Sequence, residues 1–282
     1  MPLHGSSRSL SNSLRRAIPA VLFLLLGFAP AIHAQKHEDF DQYRLKLDGI
    51  WFYSTPSGTI QGMGDTVPVD FQKDLGFNSY STFGTGLDWK FTRKNHFLLD
   101  FSRFNSSHQT VLQRDITFQG TTFEAGLQTH GELDALFFSP GYQYDIIRRK
   151  RGHLGIGIHF NTFDTSAKIS AQAQVTGDGT HYAAKSASGS FIAPIPVAGP
   201  QYRVYPMNSP RLFVEGEVYG MYFFGYGNYL QLADSVGYSV GKHVSLKAGY
   251  QLASRLIVNA QTDRIGIHMT QKGATAGLEF SF

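Results

Sequence analysis

The sequence predicts an all-β chain: an antiparallel up-and-down β-barrel of about ten strands, with eight and twelve as the alternatives. Three observations predict it. Apolar residues recur with a period of two, not 3.6, along ten stretches, the spacing of strands whose side chains alternate between two faces. The connections between those stretches tend to alternate between short polar turns and long loops. Charge is sparse and rings are plentiful: 16% of the 282 residues are Asp, Glu, Lys or Arg and 14% are Phe, Trp or Tyr, where a soluble domain carries about 25% charge.

The first strand runs from about Gln42 to Ser54, with Tyr43, Leu45, Leu47, Gly49, Trp51 and Tyr53 on one face and Arg44, Lys46 and Asp48 on the other. The second sets Phe83, Leu87, Trp89 and Phe91 against Asp88 and Lys90. Thr92-Arg93-Lys94-Asn95 turns the chain into a third strand, which carries Phe97, Leu99 and Phe101 opposite Asp100 and Ser102. That strand is expected to continue to about Phe118, with a tip at Gln119-Gly120-Thr121. A fourth strand then descends from Thr122 to Ile147, where Leu136, Phe138, Tyr142, Tyr144 and Ile146 alternate with Ser139, Gly141, Gln143 and Asp145.

Arg148 to Gly152 reads as a basic, solvated turn. The fifth strand carries Leu154, Ile156, Ile158 and Phe160 opposite Gly155, Gly157, His159 and Asn161. Ala171 to Gly189 is a Gly/Ala/Ser-rich loop or hairpin tip. The sixth strand, about Ile192–Tyr205, has the weakest signal because Pro194, Pro196 and Pro200 fall inside it. After Met207-Asn208-Ser209-Pro210, the seventh places Leu212, Val214, Val218, Tyr222 and Phe224 against Glu215, Glu217 and Tyr219. The eighth carries Leu230, Leu232, Val236, Tyr238 and Val240. The ninth carries Val244, Leu246, Ala248, Tyr250 and Leu252 opposite Lys247 and Gln251. An extended hairpin around Thr262-Asp263 leads to the tenth, with Ala276, Leu278, Phe280 and Phe282 opposite Glu279.

Period alone does not say which face is inside. A soluble barrel buries its apolar face, and a transmembrane barrel turns it outward. The polar face carries Arg44, Lys46, Asp48, Asp88, Lys90, Asp100, Asp145, Arg203, Glu215, Glu217, Lys247 and Glu279, which become the candidate lumen-lining residues in the second arrangement. The apolar face carries rings near strand ends (Tyr43, Trp51, Phe91, Phe97, Tyr144, Tyr222, Tyr238), where two membrane interfaces would lie. Short connections near 93, 150, 208 and 241 fit periplasmic turns, and the longer ones fit extracellular hairpins. A spanning strand needs only about 9–11 residues, so the third and fourth should project as a β-arm.

Residues 1–34 read as a secretory signal peptide: Arg8, Arg15 and Arg16 precede an apolar run from Ala17 to Phe28 that is too short to span as a helix. Small residues place cleavage after Ala34, or after Ala31, and leave 35–282 as the barrel domain. Setting aside those three Arg leaves 22 Lys and Arg against 21 Asp and Glu. No net basic field remains to collect phosphates, so nucleic acid is not an expected partner. Cys is absent, which excludes disulfides and a lipid-modified Cys.

The end of the chain, Gly277-Leu278-Glu279-Phe280-Ser281-Phe282, resembles the C-terminal signal of bacterial outer-membrane proteins. The resemblance implies outer-membrane lipid as the surroundings, and the barrel-assembly machinery as a partner reached through edge pairing of the last strand. A looser resemblance rests on Asp74-Leu75-Gly76-Phe77, on Trp89 with Lys94-Asn95-His96, on Arg114-Asp115-Ile116-Thr117-Phe118-Gln119-Gly120, and on Gly141-Tyr142-Gln143-Tyr144-Asp145. It is to small barrels with no assigned activity, and it supplies no catalytic residues.

The chemical signatures point away from catalysis. Of the eleven His, only His4, in the leader segment, and His243, in the short turn before the ninth strand, are followed two residues later by Ser, and neither sits near a strand top as outer-membrane lipases require. Asp263 and His268 are too far apart for an Asp-x-His protease unit. His153 and His159 share a face but stand ~20 Å apart at strand rise, too far for one metal, and read as solvated lumen residues. Gly84-Thr85-Gly86, Gly155-Ile156-Gly157 and Gly225-Tyr226-Gly227 lack the third glycine and the helix of a phosphate loop. No cofactor or metal is expected, and mixed charges in so narrow a lumen are expected to pair. The reading is a non-enzymatic outer-membrane barrel with projecting loops and a closed or narrow polar lumen. Its rivals are a passive small-solute, porin-like channel, an outer-membrane lipid hydrolase and a soluble periplasmic β-protein.

Overall fold

The computed structural model describes residues 39–62, 65, 67–172, 174–175, 181–223, 225, 227–259 and 265–282. The leader and Thr262-Asp263 lie outside these residues, as do Phe224 and Tyr226. In chain order the strands are β1 (Leu45–Gln61), β2 (Val69–Asp70), β3 (Tyr80–Lys90), β4 (Asn95–Val111), β5 (Ile116–Phe118), β6 (Thr121–Phe123), β7 (Gln128–Arg149), β8 (Gly152–Ala171), β9 (Gln174–Val175), β10 (His181–Tyr182), β11 (Lys185–Val204), β12 (Leu212–Phe223), β13 (Gly227–Ser239), β14 (Val244–Val258) and β15 (Gly266–Ser281).

Among the described residues, ten long strands form one antiparallel sheet in chain order, each pairing with the next. The sheet closes where β15 returns to β1, from Lys46 opposite Ser281 to Gln61 opposite Gly266. Closure removes both open edges. β2 adds to β1, while β5–β6 and β9–β10 are separate short hairpins. Connections 91–94, 150–151, 205–211 and 240–243 form a short-turn rim, and residues 67–79 and 112–127 belong to longer connections at the opposite rim.

The polarity of the wall reverses part-way up. On β8, Leu154, Ile156, Ile158 and Phe160 point outward and are exposed, while His153, Gly155, Gly157, His159 and Asn161 point inward and are buried. Beyond Thr162 the outward residues are Asp164, Ser166 and Lys168, and the buried inward ones are Thr165, Ala167, Ile169 and Ala171. β11 repeats this with Ser186, Ser188 and Ser190 outward and Phe191, Ala193, Ile195 and Val197 buried. The lower wall is therefore that of a transmembrane barrel, greasy outside and polar inside. The upper wall is that of a soluble barrel, with its apolar side hidden from water. Tyr144, Leu246 and Phe280 are exposed on the outer face, which Leu99 shares.

Two expected faces are corrected by bulges. Arg44 N and Leu45 N both donate to the carbonyl of Phe282, at 2.6 and 3.1 Å. This extra residue flips the face of everything before it. Arg44 is thereby exposed at the rim and does not line the lumen, whereas Tyr43 is buried inside and is no interface ring. A second bulge between Asp145 and Ile147 turns Arg148 inward, out of the solvated turn assigned to it, and leaves Ile146 and Ile147 both exposed.

Pro194, Pro196 and Pro200 do not interrupt β11. Pairing to β8 is continuous from Lys185 to Val204. Pairing to β12 ends at Ala198 and skips Gly199 and Pro200. The missing N–H groups thus fall on the side where no ladder bond is needed. The expected projecting tip of the β-arm is also corrected: β4 stops at Val111, and residues 112–127 fold back over the mouth with Phe118 and Phe123 at 0% exposure.

The outward belt carries one carboxylate on β13. Asp234 is exposed on the face of Leu230, Leu232, Val236 and Tyr238, and accepts the Tyr202 hydroxyl at 2.8 Å. It leans over Gly216, where an added Cβ would stand 2.1 Å from its oxygen. A charge facing lipid costs up to a few kcal/mol, so Asp234→Leu is expected to raise stability by about 1–2 kcal/mol in lipid vesicles. A lower urea midpoint for this variant would contradict the placement of that face against lipid.

Candidate functional site

The interior is organised in three levels. The lowest is an ionic plug. The chain before β1 crosses into the barrel base, where Asp41 is 2% exposed. Its carboxylate meets Lys90 Nζ at 3.0 Å and His153 Nδ1 at 2.9 Å, and its carbonyl accepts Arg148 Nη2 at 2.9 Å. Arg148 also reaches Asp39 and Asp145, each at 2.9 Å. His96 sits between Asp88 (2.9 Å) and Asp145 (3.2 Å), and Tyr43 donates to Asp88 at 2.5 Å.

A ring of alternating charge lies next to the plug. Arg203 makes a two-pronged pair with Glu279 at 2.9 and 2.7 Å and reaches Glu215 at 3.3 Å. Lys247 binds Asp48 at 2.8 Å and Glu215 at 2.5 Å. Lys46 joins ring to plug, lying 3.7 Å from Asp88 and 4.0 Å from Glu279. The guanidinium of Arg203 lies 3.6 Å over the Phe213 ring. That ring fits because residue 237 is glycine; a Cβ there would be 2.0 Å from it. With Ser235 donating to Glu215 at 3.2 Å, each long strand supplies at least one member of the plug or of the ring.

Above the ring lies a cavity of 420 Å³. Asp100 and Glu217 face it. Beside it, Ser139 Oγ stands 3.2 Å from His159 Nδ1 and donates to Asn161 at 2.7 Å. Asp100 approaches the same Nδ1 at 4.0 Å, and His159 Nε2 has no partner. A serine relay needs hydroxyl and carboxylate on opposite ring nitrogens, which this trio does not provide. His153 and His159 are buried rather than solvated. Among the described residues no group of three or more His, Asp or Glu could hold a metal ion.

The third level is an apolar cap. Ile116, Phe118, Phe123 and Leu127 pack with Phe71, Leu75 and Phe77 on the buried upper wall. Polar ties hold it: Arg114 makes a two-pronged pair with Asp74 at 3.0 and 2.5 Å, and Asp65 accepts the amides of Gln119 and Gly120 at 3.1 and 3.4 Å. Lys185 binds Glu124 at 2.5 Å. Its hydrogen bond holds the Glu124 carboxyl below the usual range; the hydrogen bond to Asp74 pushes Arg114 up.

All the candidate lumen residues except Arg44 point inward. Lys46, Asp48, Asp88, Lys90, Asp145, Arg203, Glu215, Lys247 and Glu279 belong to the plug and ring; Asp100 and Glu217 stand apart at the cavity. Sequence reasoning missed Asp39, Asp41, His96 and Arg148. His96 could have been found, since it shares parity with Asp100. The other three precede the first strand or follow a bulge, where no period operates.

No protein-family model and no curated protein matches the sequence. Among solved structures, the chain is similar to the outer membrane protease OmpT from Escherichia coli: 12% identity over 84% of this chain and 97% of that one, with a TM-score of 0.51. It is more distantly similar to Ail, the attachment invasion locus protein of Yersinia pestis (10% identity, 84% and 99% covered, TM-score 0.36). A comparable distance separates it from the toluene transporter TodX of Pseudomonas putida (11%, 91% and 91%, TM-score 0.36). At these identities the likeness speaks for the fold alone, an outer-membrane β-barrel.

Proposed function

We propose that this chain is a non-enzymatic integral protein of the bacterial outer membrane, with a closed lumen and a surface built for contact. The observation that carries the reading is closure at both ends: the ionic plug and ring at the short-turn rim, and the apolar cap at the other. Lipid surrounds the lower belt, and the last strand is the segment offered to the assembly machinery. The upper wall stands clear of the bilayer, its outer face formed by polar side chains such as Asp164, Ser166, Lys168 and Ser188.

The test is planar-bilayer conductance of the refolded protein. No steady openings are expected, because buried ion pairs crowd the base and packed apolar side chains crowd the mouth. Stepwise, long-lived currents would favour the porin-like channel instead. Fatty acid released from phospholipid or lipid A would favour the hydrolase, against which the Ser139–His159 geometry speaks.

A further inference from the structure

We propose that the cavity in the middle of the barrel is a binding site for a small organic cation, an ammonium group carried on an apolar body. Its volume, 420 Å³, lies within the ~300–1,000 Å³ of small-molecule sites. Its two halves differ. The upper walls include the rings of Tyr80, Phe104, Phe163 and Tyr229, while Asp100 and Glu217 supply carboxylates.

Those two carboxylates are unlike the rest of the lumen. Asp39, Asp41, Asp48, Asp88, Asp145, Glu215 and Glu279 each have a Lys or Arg within 4.0 Å. Among the described residues Asp100 and Glu217 have none; Glu217 accepts the Gln231 amide, and Asp100 has His159 Nδ1 at 4.0 Å. Asp100 makes no hydrogen bond, yet 47% of its side-chain surface is open. Inside a closed barrel, that open surface faces the cavity. The cavity floor also carries Lys46, Lys247 and Arg203, but each is already tied to Asp88, Asp48 or Glu279. Carboxylates left without so close a cation in a low-dielectric enclosure are costly, and inside a membrane such groups mark function. An ammonium ion in the cavity would supply the close counter-charge they lack, and the surrounding rings favour a cation over an equally sized neutral group.

Equilibrium dialysis of the refolded protein tests this with three probes of one shape: 2-phenylethylammonium, 2-phenylethanol and 3-phenylpropanoate. Each is present during refolding so that entry is not limiting. The ammonium is expected to saturate one site and bind at least tenfold more tightly than the alcohol, with the carboxylate weakest. Asp100→Asn and Glu217→Gln should each lose at least tenfold, while Asp134→Asn on the outer face loses nothing. Absence of saturable ammonium binding, equal binding of ammonium and alcohol, or unchanged affinity in both variants would overturn the proposal. If Asp100→Asn does not refold, the probe ratio on the unaltered protein and Glu217→Gln still decide it.

Discussion

Replacing Asp41 with Asn is expected to lower stability by about 3–5 kcal/mol, the range for removing one partner of a buried ion pair. The side chain keeps its volume, so the effect isolates charge. Lys90, Arg148 and His153 would then share a buried site with one fewer anion, and Lys90 would lose its only carboxylate within 4.0 Å among the described residues. Asp39→Asn should cost less. Arg148 keeps Asp145 and the Asp41 carbonyl, and Asp39 Oδ1 has no partner to lose. The measurement is the urea midpoint of both variants in detergent micelles at constant m. An unchanged midpoint for Asp41→Asn would mean that water already reaches the plug, and the base would not be sealed.

The alternation that carries the lower barrel was legible because each spanning strand meets two different solvents, lipid and lumen, and period-two chemistry records that. The reversal on β8 was written in the sequence too, where polar and apolar positions exchange parity around Thr162. The fifth strand as read from the sequence ends near Asn161, just below that exchange, because its clear apolar run stops at Phe160. Tyr43, Arg44 and Arg148 were misread for one physical reason. A bulge inserts a residue without changing composition, so everything beyond it changes face with no local sign.

The motifs behind the looser resemblance form two contacts. Asp74-Leu75-Gly76-Phe77 and Arg114 to Gly120 meet in the cap, through the Asp74–Arg114 pair and the shared burial of Phe77 and Phe118. Lys94-Asn95-His96 meets Gly141 to Asp145 at the base: the Asp145 amide donates to the Lys94 carbonyl at 2.8 Å, and His96 reaches the Asp145 carboxylate. One set packs in the cap and the other at the base. Each contact joins stretches well separated in the chain, by 40 residues for Asp74 with Arg114 and 49 for His96 with Asp145.

The cap is expected to open alone. Phe118→Ala with Phe123→Ala removes two rings with no exposure, each worth about 3–5 kcal/mol when buried. The β5–β6 hairpin pairs only with itself, so the loss falls on the cap and not on the closed wall, a local opening in a stable barrel. Low pH acts in the same direction. The Glu124 carboxyl sits below its ordinary range when bound to Lys185, so its contribution is present above the unfolded value and is lost as pH falls through the folded one. Because the chain has no Cys, Ala135→Cys on the cavity wall gives a clean reporter. Its labelling by a charged thiosulfonate should rise at least a hundredfold in the cap variant, the factor that about 2.7 kcal/mol of lost local stability yields. Conductance should stay flat, since the plug and ring still close the floor. A steady current through the cap variant alone would show that the charges at the base line a path rather than block one.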